Sequence, residues 1–486
     1  DVLVTIQEGK QYRFGALWIK GPLIYPEEQI RAVVAPHMAL PFTPARVRAI
    51  ESAVEKFYAN RSHFSPRIQL EADASLAAEN GRVPVTLEVQ PGPPSRFKDL
   101  EIIGLQRLRE SWIRGRLRSL EGAPYDPEKL SSKQQELLSL GLFDNLRISP
   151  ILQQDETLKL RIEAQEARAK ELSFSAGFGN YEGVLGEIRA SDRNLFGRAL
   201  QGSVALAASQ RALGLETTLI VPWLFETRTQ LLTRIFLRNR VERGYEKREG
   251  GVRAELSRRL LPMFTAALFG QVRSVEITAS DLPTETLGPT AYQLASFGVS
   301  GIYDRRDSIL NPTSGWVAGL SADSHSTQVG QAWVRTTGRL TIHYPLPYRV
   351  RFAASGRFGV LSASSEVPID ERFFLGGSTT VRSFQERALG KAPDQSAPLG
   401  GSSFGLINLE ADFPVWNKLR GALFFDAGSL SPKGIDIPTS NYRRAIGLGA
   451  RYALPVGPVR LDVGVNPAPA AGEPRSAANL SFGFAF

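Results

Sequence analysis

From about Lys170 to Phe486 the chain keeps a two-residue rhythm, and this constrains its fold more than any other feature. Val350, Phe352, Ala354, Gly356, Phe358 and Val360 fall on one face of a strand, with Arg351, Ala353, Ser355 and Arg357 on the other. Leu461, Val463 and Val465 alternate with Arg460, Asp462 and Gly464, and Leu480, Phe482, Phe484 and Phe486 alternate with Asn479, Ser481, Gly483 and Ala485. A period of two places successive side chains on opposite faces, the signature of a strand and not of a helix. Arg and Asp opposite an apolar row fit a wet interior behind a lipid-facing wall. No run of 18 or more residues is continuously apolar, so a membrane-spanning helix is not expected. With 44 Gly and 26 Phe beside 2 Met, the composition also favours strands and turns. At roughly 20 residues per strand and connection, this region holds about 16 antiparallel strands. A soluble sandwich array would explain the alternation, but less well a run this long without a linker.

The N-terminal third contains a repeat. Tyr12-Arg-Phe14 through Gly21 recurs as Ser95-Arg-Phe97 through Gly104, and Pro41-Phe-Thr-Pro44 recurs as Pro124-Tyr-Asp-Pro127, at a constant offset of 83 positions. Val2 to Gly9 matches Val85 to Gly92 at the same offset, so residues 1–9 are expected to be the last strand of a preceding unit. Each unit reads as strand, helix, helix, strand, strand. Thr43 with Pro44, and Asp126 with Pro127, are N-cap and first-turn pairs. The stripe Val47, Ile50, Val54, Phe57 follows the first pair, and Leu130, Leu137, Leu138 the second. Val83, Val85, Leu87, Val89 and Leu158, Leu160, Ile162 alternate as closing strands. A small sheet covered by two helices buries both kinds of stripe. The expected organisation is a strand remnant at 1–9, α+β modules at 10–92 and 93–168, and a transmembrane antiparallel β-barrel at 169–486.

The chain has no Cys, and His37, His63, His325 and His343 show no paired spacing, so neither a thiolate nucleophile nor a metal site is expected. The formal charge is +9, yet no block of five or six Lys/Arg occurs, which disfavours nucleic acid. Gly401-Ser-Ser403-Phe-Gly405 matches a nucleophile-elbow pattern, but no His follows it and it leads into strand-like sequence. We read it as a loop, and expect no catalytic residue, no cofactor and no enzymatic activity.

A different loop stands out: Gly376-Gly377-Ser-Thr-Thr-Val381-Arg382-Ser383-Phe384. Alternation downstream puts Glu410 (with Asn408 and Asp412) and Asp426 (with Phe424 and Gly428) on the polar face. An Arg-bearing loop folded into the lumen would meet two carboxylates, and a guanidinium can engage a carboxylate through two parallel hydrogen bonds.

At these residues the chain resembles the Omp85 superfamily. Val381-Arg382-Ser383-Phe384 is similar to the signature of its sixth extracellular loop, and the repeated units look like its POTRA domains. Asp304-Arg305-Arg306-Asp307 with Asn311-Pro312-Thr313-Ser314-Gly315 resembles a barrel strand and periplasmic turn. Phe424-Phe425-Asp426 and Gly447 through Asp462 resemble late strands. Ser383 departs from the small residue, usually Gly, of the family signature, and a positive φ there would cost on the order of 1 kcal/mol.

The resemblance implies an outer-membrane location with periplasmic POTRA domains, and Glu410 and Asp426 as partners of Arg382. It further implies a BamA/TamA-type activity: folding client outer-membrane proteins into lipid, aided by periplasmic or lipoprotein accessory subunits bound at the POTRA domains. The seam between first and last barrel strands is the expected gate. Its first strand carries Leu172, Phe174, Ala176, Gly177, Phe178 and Gly179; its last carries Asn479, Leu480, Phe482, Gly483, Phe484 and Phe486. Gly and Ser in these strands pack weakly. The alternative within the family is a two-partner-secretion transporter that exports a polypeptide through the lumen.

Overall fold

The computed structural model describes residues 11–73, 75, 81–225, 227–391, 397–432, 437–454 and 457–482. It forms two compact units, Asp1–Arg168 with Phe196–Arg198, and Ala169–Leu195 with Ala199–Phe486. The strand expected at residues 1–9 lies outside the described residues.

In the first unit the repeat becomes two similar modules. One runs β1 (Arg13–Lys20), α1 (Glu27–Met38), α2 (Pro44–Ala59), β2 (Arg67–Ala72), β3 (Arg82–Gln90). The other runs β4 (Phe97–Ile103), α3 (Glu110–Leu117), α4 (Pro127–Leu138), β5 (Phe143–Leu152), β6 (Leu158–Glu166). The last strand of each takes the centre of a three-stranded sheet, in the orders β1-β3-β2 and β4-β6-β5. This position explains their alternation: Val83, Leu87, Val89, Leu158, Leu160 and Ile162 are wholly buried. The Thr43 hydroxyl accepts from the Arg46 N–H at 3.3 Å, and the Asp126 carboxylate accepts from the N–H groups of Glu128 and Lys129 at 3.0 Å. Each thereby satisfies donors that the first helical turn leaves open. Along α2, Ile50, Val54 and Phe57 are buried against Phe14, Leu70 and Val85. Along α4, Leu130 and Leu137 are buried while Leu138 is exposed. Seven residues bring Leu137 back onto the face of Leu130, and one further step turns Leu138 about 100° away.

The second unit is a closed antiparallel barrel of 16 strands. Its first half is β7 (Lys170–Gly179), β8 (Gly183–Leu195), β9 (Leu200–Ser209), β10 (Ala212–Leu224), β11 (Thr229–Glu242), β12 (Tyr245–Leu261), β13 (Phe264–Ser280) and β14 (Ala291–Asp304). The second half is β15 (Gly315–Thr327), β16 (Ala332–Leu346), β17 (Val350–Ala363), β18 (Ser403–Trp416), β19 (Leu419–Ser431), β20 (Arg443–Leu454), β21 (Gly457–Val465) and β22 (Ser476–Phe482). Each strand pairs with its sequence neighbours, the up-and-down arrangement that removes open sheet edges. Leu237, Val272, Phe297, Leu320 and Leu448 project outward from the wall and are exposed. Exposed Tyr344, Tyr348 and Trp416 cluster toward the end at which the chain enters, in the manner of an interfacial aromatic girdle. Among the described residues no helix is long and apolar enough to cross a membrane.

The 305–314 connection, which the resemblance gives as a periplasmic turn, is organised by one carboxylate. Asp307 accepts from the N–H groups of Thr313 at 2.9 Å and Ser314 at 3.2 Å, and from the Thr313 hydroxyl. These bonds favour the charged form and hold the Asp307 carboxyl below the usual carboxylate range. A depressed folded-state pKa stabilises the turn above the unfolded value of about 3.9, and the contribution fades as pH falls below it. Asp307→Asn therefore lowers the melting temperature at neutral pH, and the gap to the native chain closes on acidification. A gap that widens in acid would refute this assignment.

Candidate functional site

The barrel wall is interrupted by one long excursion, residues 364–402 between β17 and β18, which carries the Val381–Phe384 signature. Gly376 and Gly377 turn its backbone at φ of 108° and 101°, and a Cβ on Gly376 would sit 2.5 Å from the carbonyl oxygen of Gln385. Only glycine tolerates both the dihedral and the approach. After this turn Val381 and Phe384 pack with Leu375, Leu389, Leu406 and Phe424 in a buried cluster inside the barrel. A loop of mixed polarity is thereby seated by ordinary apolar burial, with Arg382 carried in beside it.

Arg382 is 3% exposed. Its Nε and Nη2 donate to the two carboxylate oxygens of Asp426 at 2.8 Å each, and its backbone N–H donates to the same carboxylate at 3.1 Å. Nη1 donates to Glu410 at 2.5 Å, and the guanidinium carbon lies 3.5 Å from the Phe424 ring centroid. Asn408 donates to Asp426 at 2.8 Å and to the carbonyl of Thr380 at 2.7 Å, tying the carboxylate and the loop together. Glu410 and Asp426 thus both meet Arg382, as the alternation places them. Leu423 and Ile407, on the opposite faces of their strands, are exposed.

Alternation in its strand puts Asp462 on the polar face with Arg460, but nothing in the sequence singles it out as a partner of the loop. It is fully buried, 3.8 Å from Arg382, 2.6 Å from Arg451 and 2.7 Å from Arg460. Three cations (Arg382, Arg451, Arg460) therefore face three anions (Glu410, Asp426, Asp462). Such a balanced set offsets much of the desolvation that each charge alone would suffer. A second group was also missed. Glu371 pairs with Arg273 and, at 3.2 Å, with Arg335, while the neighbouring Asp370 accepts from the Tyr292 hydroxyl at 2.7 Å. These partners lie on β13, β14 and β16, too distant in sequence for any spacing rule to join them.

Ser383 is wholly buried, and its hydroxyl donates to the carbonyl of Arg444 at 2.9 Å. It does not have a positive φ, so the strain considered for a non-glycine residue here does not arise. The close approach falls instead on Gly464 of β21, where a Cβ would sit 2.7 Å from the backbone of Arg382. Gly464→Val therefore pushes the loop off the wall, at a cost of about 1–3 kcal/mol for overpacking. Faster proteolytic cleavage within 376–390 is the expected readout, and unchanged cleavage would show that the loop has room.

The seam has its own geometry. β7 pairs with β8 through ten register partners, from Lys170↔Asp192 to Gly179↔Gly183, and β22 pairs with β21 through seven, from Val459↔Phe482 to Val465↔Ser476. Between β22 and β7 the described residues give two, Ser481↔Gly179 and Phe482↔Phe178. Beyond them Asn180 bridges the gap: Nδ2 donates to the carbonyl of Ala478 at 2.8 Å, and Oδ1 accepts from the Leu480 N–H at 3.0 Å. Leu172, Phe174 and Phe178 face outward and are exposed, Ala176 is also exposed, and Gly177 is buried. Asn479 and Leu480 lie within β22, where Asn479 is turned inward, and Phe482 is its last described position. Gly483, Phe484 and Phe486 lie outside the described residues. A cavity of about 1350 Å³ borders the seam, lined by Phe178 to Glu182, Ser476 to Ser481 and parts of the loop. The Gly401–Gly405 pattern enters β18 with no following helix, as its reading as a loop requires. Among the described residues no cluster of His, Asp and Glu is suited to hold a metal ion.

A sequence model of the Omp85 superfamily domain matches residues 194–486, and one of the POTRA repeat, described as a surface antigen variable number repeat, matches 12–92 and 95–166. The chain belongs to the Omp85 superfamily. Among curated proteins, it is 23% identical over 478 residues to the outer membrane protein assembly factor BamA of Neisseria meningitidis, covering 88% of this chain and 58% of that one. It is 21% identical to BamA of Nitratidesulfovibrio vulgaris, covering 95% and 60%. The chain thus spans less than two thirds of the length of these relatives. Among solved structures, BamA from Haemophilus ducreyi lacking POTRA domains 1–3 superposes with a TM-score of 0.84 at 15% identity, covering 97% of this chain and 99% of the other. CdiB from Acinetobacter baumannii gives 0.52 at 13% identity, covering 99% and 91%. The Omp85 barrel lies in the outer membrane with its POTRA domains in the periplasm. The 364–402 excursion leaves from the opposite end to chain entry and is therefore extracellular in origin, although its tip fills the lumen.

Proposed function

We propose that this Omp85 protein assembles client outer-membrane barrels, using the β7/β22 seam as the place where a client strand pairs. The observation that carries the reading is the contrast in ladder length, two described register pairs at the seam against ten and seven on its flanks. A short ladder separates at lower cost than a full one, and its unpaired N–H and C=O groups then template an incoming strand by β-augmentation. No nucleotide chemistry is required, because client folding and burial in lipid supply the driving force. The POTRA sheets have exposed edges, β1 and β2 in one module and β4 and β5 in the other, to which clients or accessory subunits add strands. The resemblance to BamA chains supports this task over others.

The protein reconstituted in vesicles of outer-membrane lipid should accelerate folding of a urea-denatured client barrel, followed by its heat-modifiable gel mobility. Folding no faster than in empty vesicles would remove the proposal. A second reading, polypeptide export through the lumen, is favoured only by the likeness to CdiB. It predicts that the client appears protease-protected inside the vesicle, and not embedded in its membrane.

A further inference from the structure

The 376–390 segment touches the last strand directly and reaches the first hairpin through one intermediate carboxylate. On one side Asn479 of β22 donates from Nδ2 to the carbonyl oxygen of Arg382 at 3.1 Å. On the other, Arg387 reaches Glu242 at the end of β11, 3.2 Å from its carboxylate. Glu242 in turn accepts from the Tyr181 hydroxyl at 2.5 Å. Tyr181 follows Asn180, the residue that bridges the seam itself. Arg382 and Arg387 are five positions apart, so the two contacts lie within about 18 Å along the chain. The intervening turn is closed by N–H groups of Phe384 and Ala388 donating to the carbonyls of Val381 and Gln385, at 3.1 Å each.

Arg387 bears the marks of a residue held for this contact. Its φ is 62°, in the left-handed region that non-glycine residues rarely adopt. Its side chain is largely buried, 3.6 Å from the Phe374 ring centroid, and donates to the Tyr245 hydroxyl at 3.0 Å. Backbone strain of this kind persists only where the surroundings over-determine it. Glu242 is itself fixed by Arg240 at 2.7 Å, so its carboxylate presents a rigid acceptor.

We propose that the loop is a clasp drawn across the inside of the seam: Arg382 and Asn479 fasten it to the last strand, and Arg387, Glu242 and Tyr181 fasten it to the first hairpin. Either fastening must release before β7 and β22 part. Arg387, Glu242, Tyr181 and Asn479 are thus positioning residues for the gate. This inference rests on the seam being the site of assembly, but its test does not use client insertion.

The chain has no Cys, so Gly179→Cys with Ser481→Cys gives one reporter pair, and nothing lies within 4 Å of an added Cβ at Gly179. The rate of disulfide formation under a mild oxidant, in the purified protein in lipid without client, reports how often the seam is closed. Arg387→Gly keeps the backbone conformation and deletes the arm; it should slow trapping by about tenfold, the effect of losing one charge-assisted contact. Asn479→Ala should slow it similarly, the double variant should slow it little further, and Arg387→Lys should restore part of the rate. Heat-modifiable mobility shows that each barrel is folded. Unchanged trapping in both folded single variants would overturn the clasp. Slowed trapping with client assembly indifferent to a locked seam would leave the clasp standing and remove the proposed function instead.

Discussion

Oxidation of the Gly179→Cys, Ser481→Cys protein should reduce client assembly to the rate seen in empty lipid vesicles, and reduction should restore it. The two positions are register partners in an antiparallel pair. Such partners have Cα atoms roughly 4.5–5.5 Å apart, inside the range a disulfide spans. With no other Cys in the chain, the bridge forms at the seam alone. The control that gives the result its meaning is a second pair placed across β7 and β8, for instance Phe178→Cys with Val184→Cys, which locks a full ladder that the proposal never opens. Loss of assembly in the first protein with retention in the second localises the event to the seam. If the oxidised seam assembles clients at the reduced rate, a lateral opening has no part in the mechanism.

Removal of Arg382 is expected to have the largest effect on the loop. Arg382→Ala leaves Asp426 and Asp462, both wholly buried, with one cation fewer among them. Stranding a buried partner in this way costs about 3–5 kcal/mol, far more than an exposed ion pair contributes. The loop should become protease-sensitive and client assembly should fall with it. Asp426→Ala should do much the same, because the pair acts through one set of hydrogen bonds. In a double-mutant cycle the combined loss should then fall short of the sum of the single losses by about 1–3 kcal/mol. Additive losses would mean that the two groups act separately, and that the geometry at 2.8 Å carries no coupling.

The extent to which this could be read from the chain follows from the kinds of interaction involved. Thr43 and Asp126 act on N–H groups two and three residues away, so their capping role is written locally. The polar row of β18 and β19 is likewise local, and a single period of two delivers Glu410 and Asp426 to the same side as Arg382. The contact itself follows from the family resemblance together with that row, while the bidentate hold on Asp426 is visible only in the structure. Asp462 belonged to an equally visible row, yet nothing in its own strand says that it faces a loop whose Arg382 lies 80 positions earlier. Glu371 finds Arg273 98 positions away, and Arg387 finds Tyr245 142 positions away. These pairings depend on where a closed cylinder brings distant strands, and strand count alone does not supply that. Ser383 shows the reverse error: the signature drew suspicion to its backbone, while the tight fit is at Gly464.

The bridge made by Asn180 bears on how such a cylinder stays shut between rounds of work. A side-chain amide can present an N–H donor and a carbonyl acceptor in nearly the arrangement of a peptide group, and here it takes the place of main-chain partners beyond the end of β7. The edge of the last strand is covered by a peptide mimic, which guards it against stray pairing with neighbouring molecules. The amide part of that cover leaves by rotation about one side chain, a motion of picoseconds to nanoseconds where the residue is exposed. Access to that edge thus combines a rotamer change with release of a short main-chain ladder, in which the Asn180 N–H itself donates to the carbonyl of Leu480 at 3.2 Å.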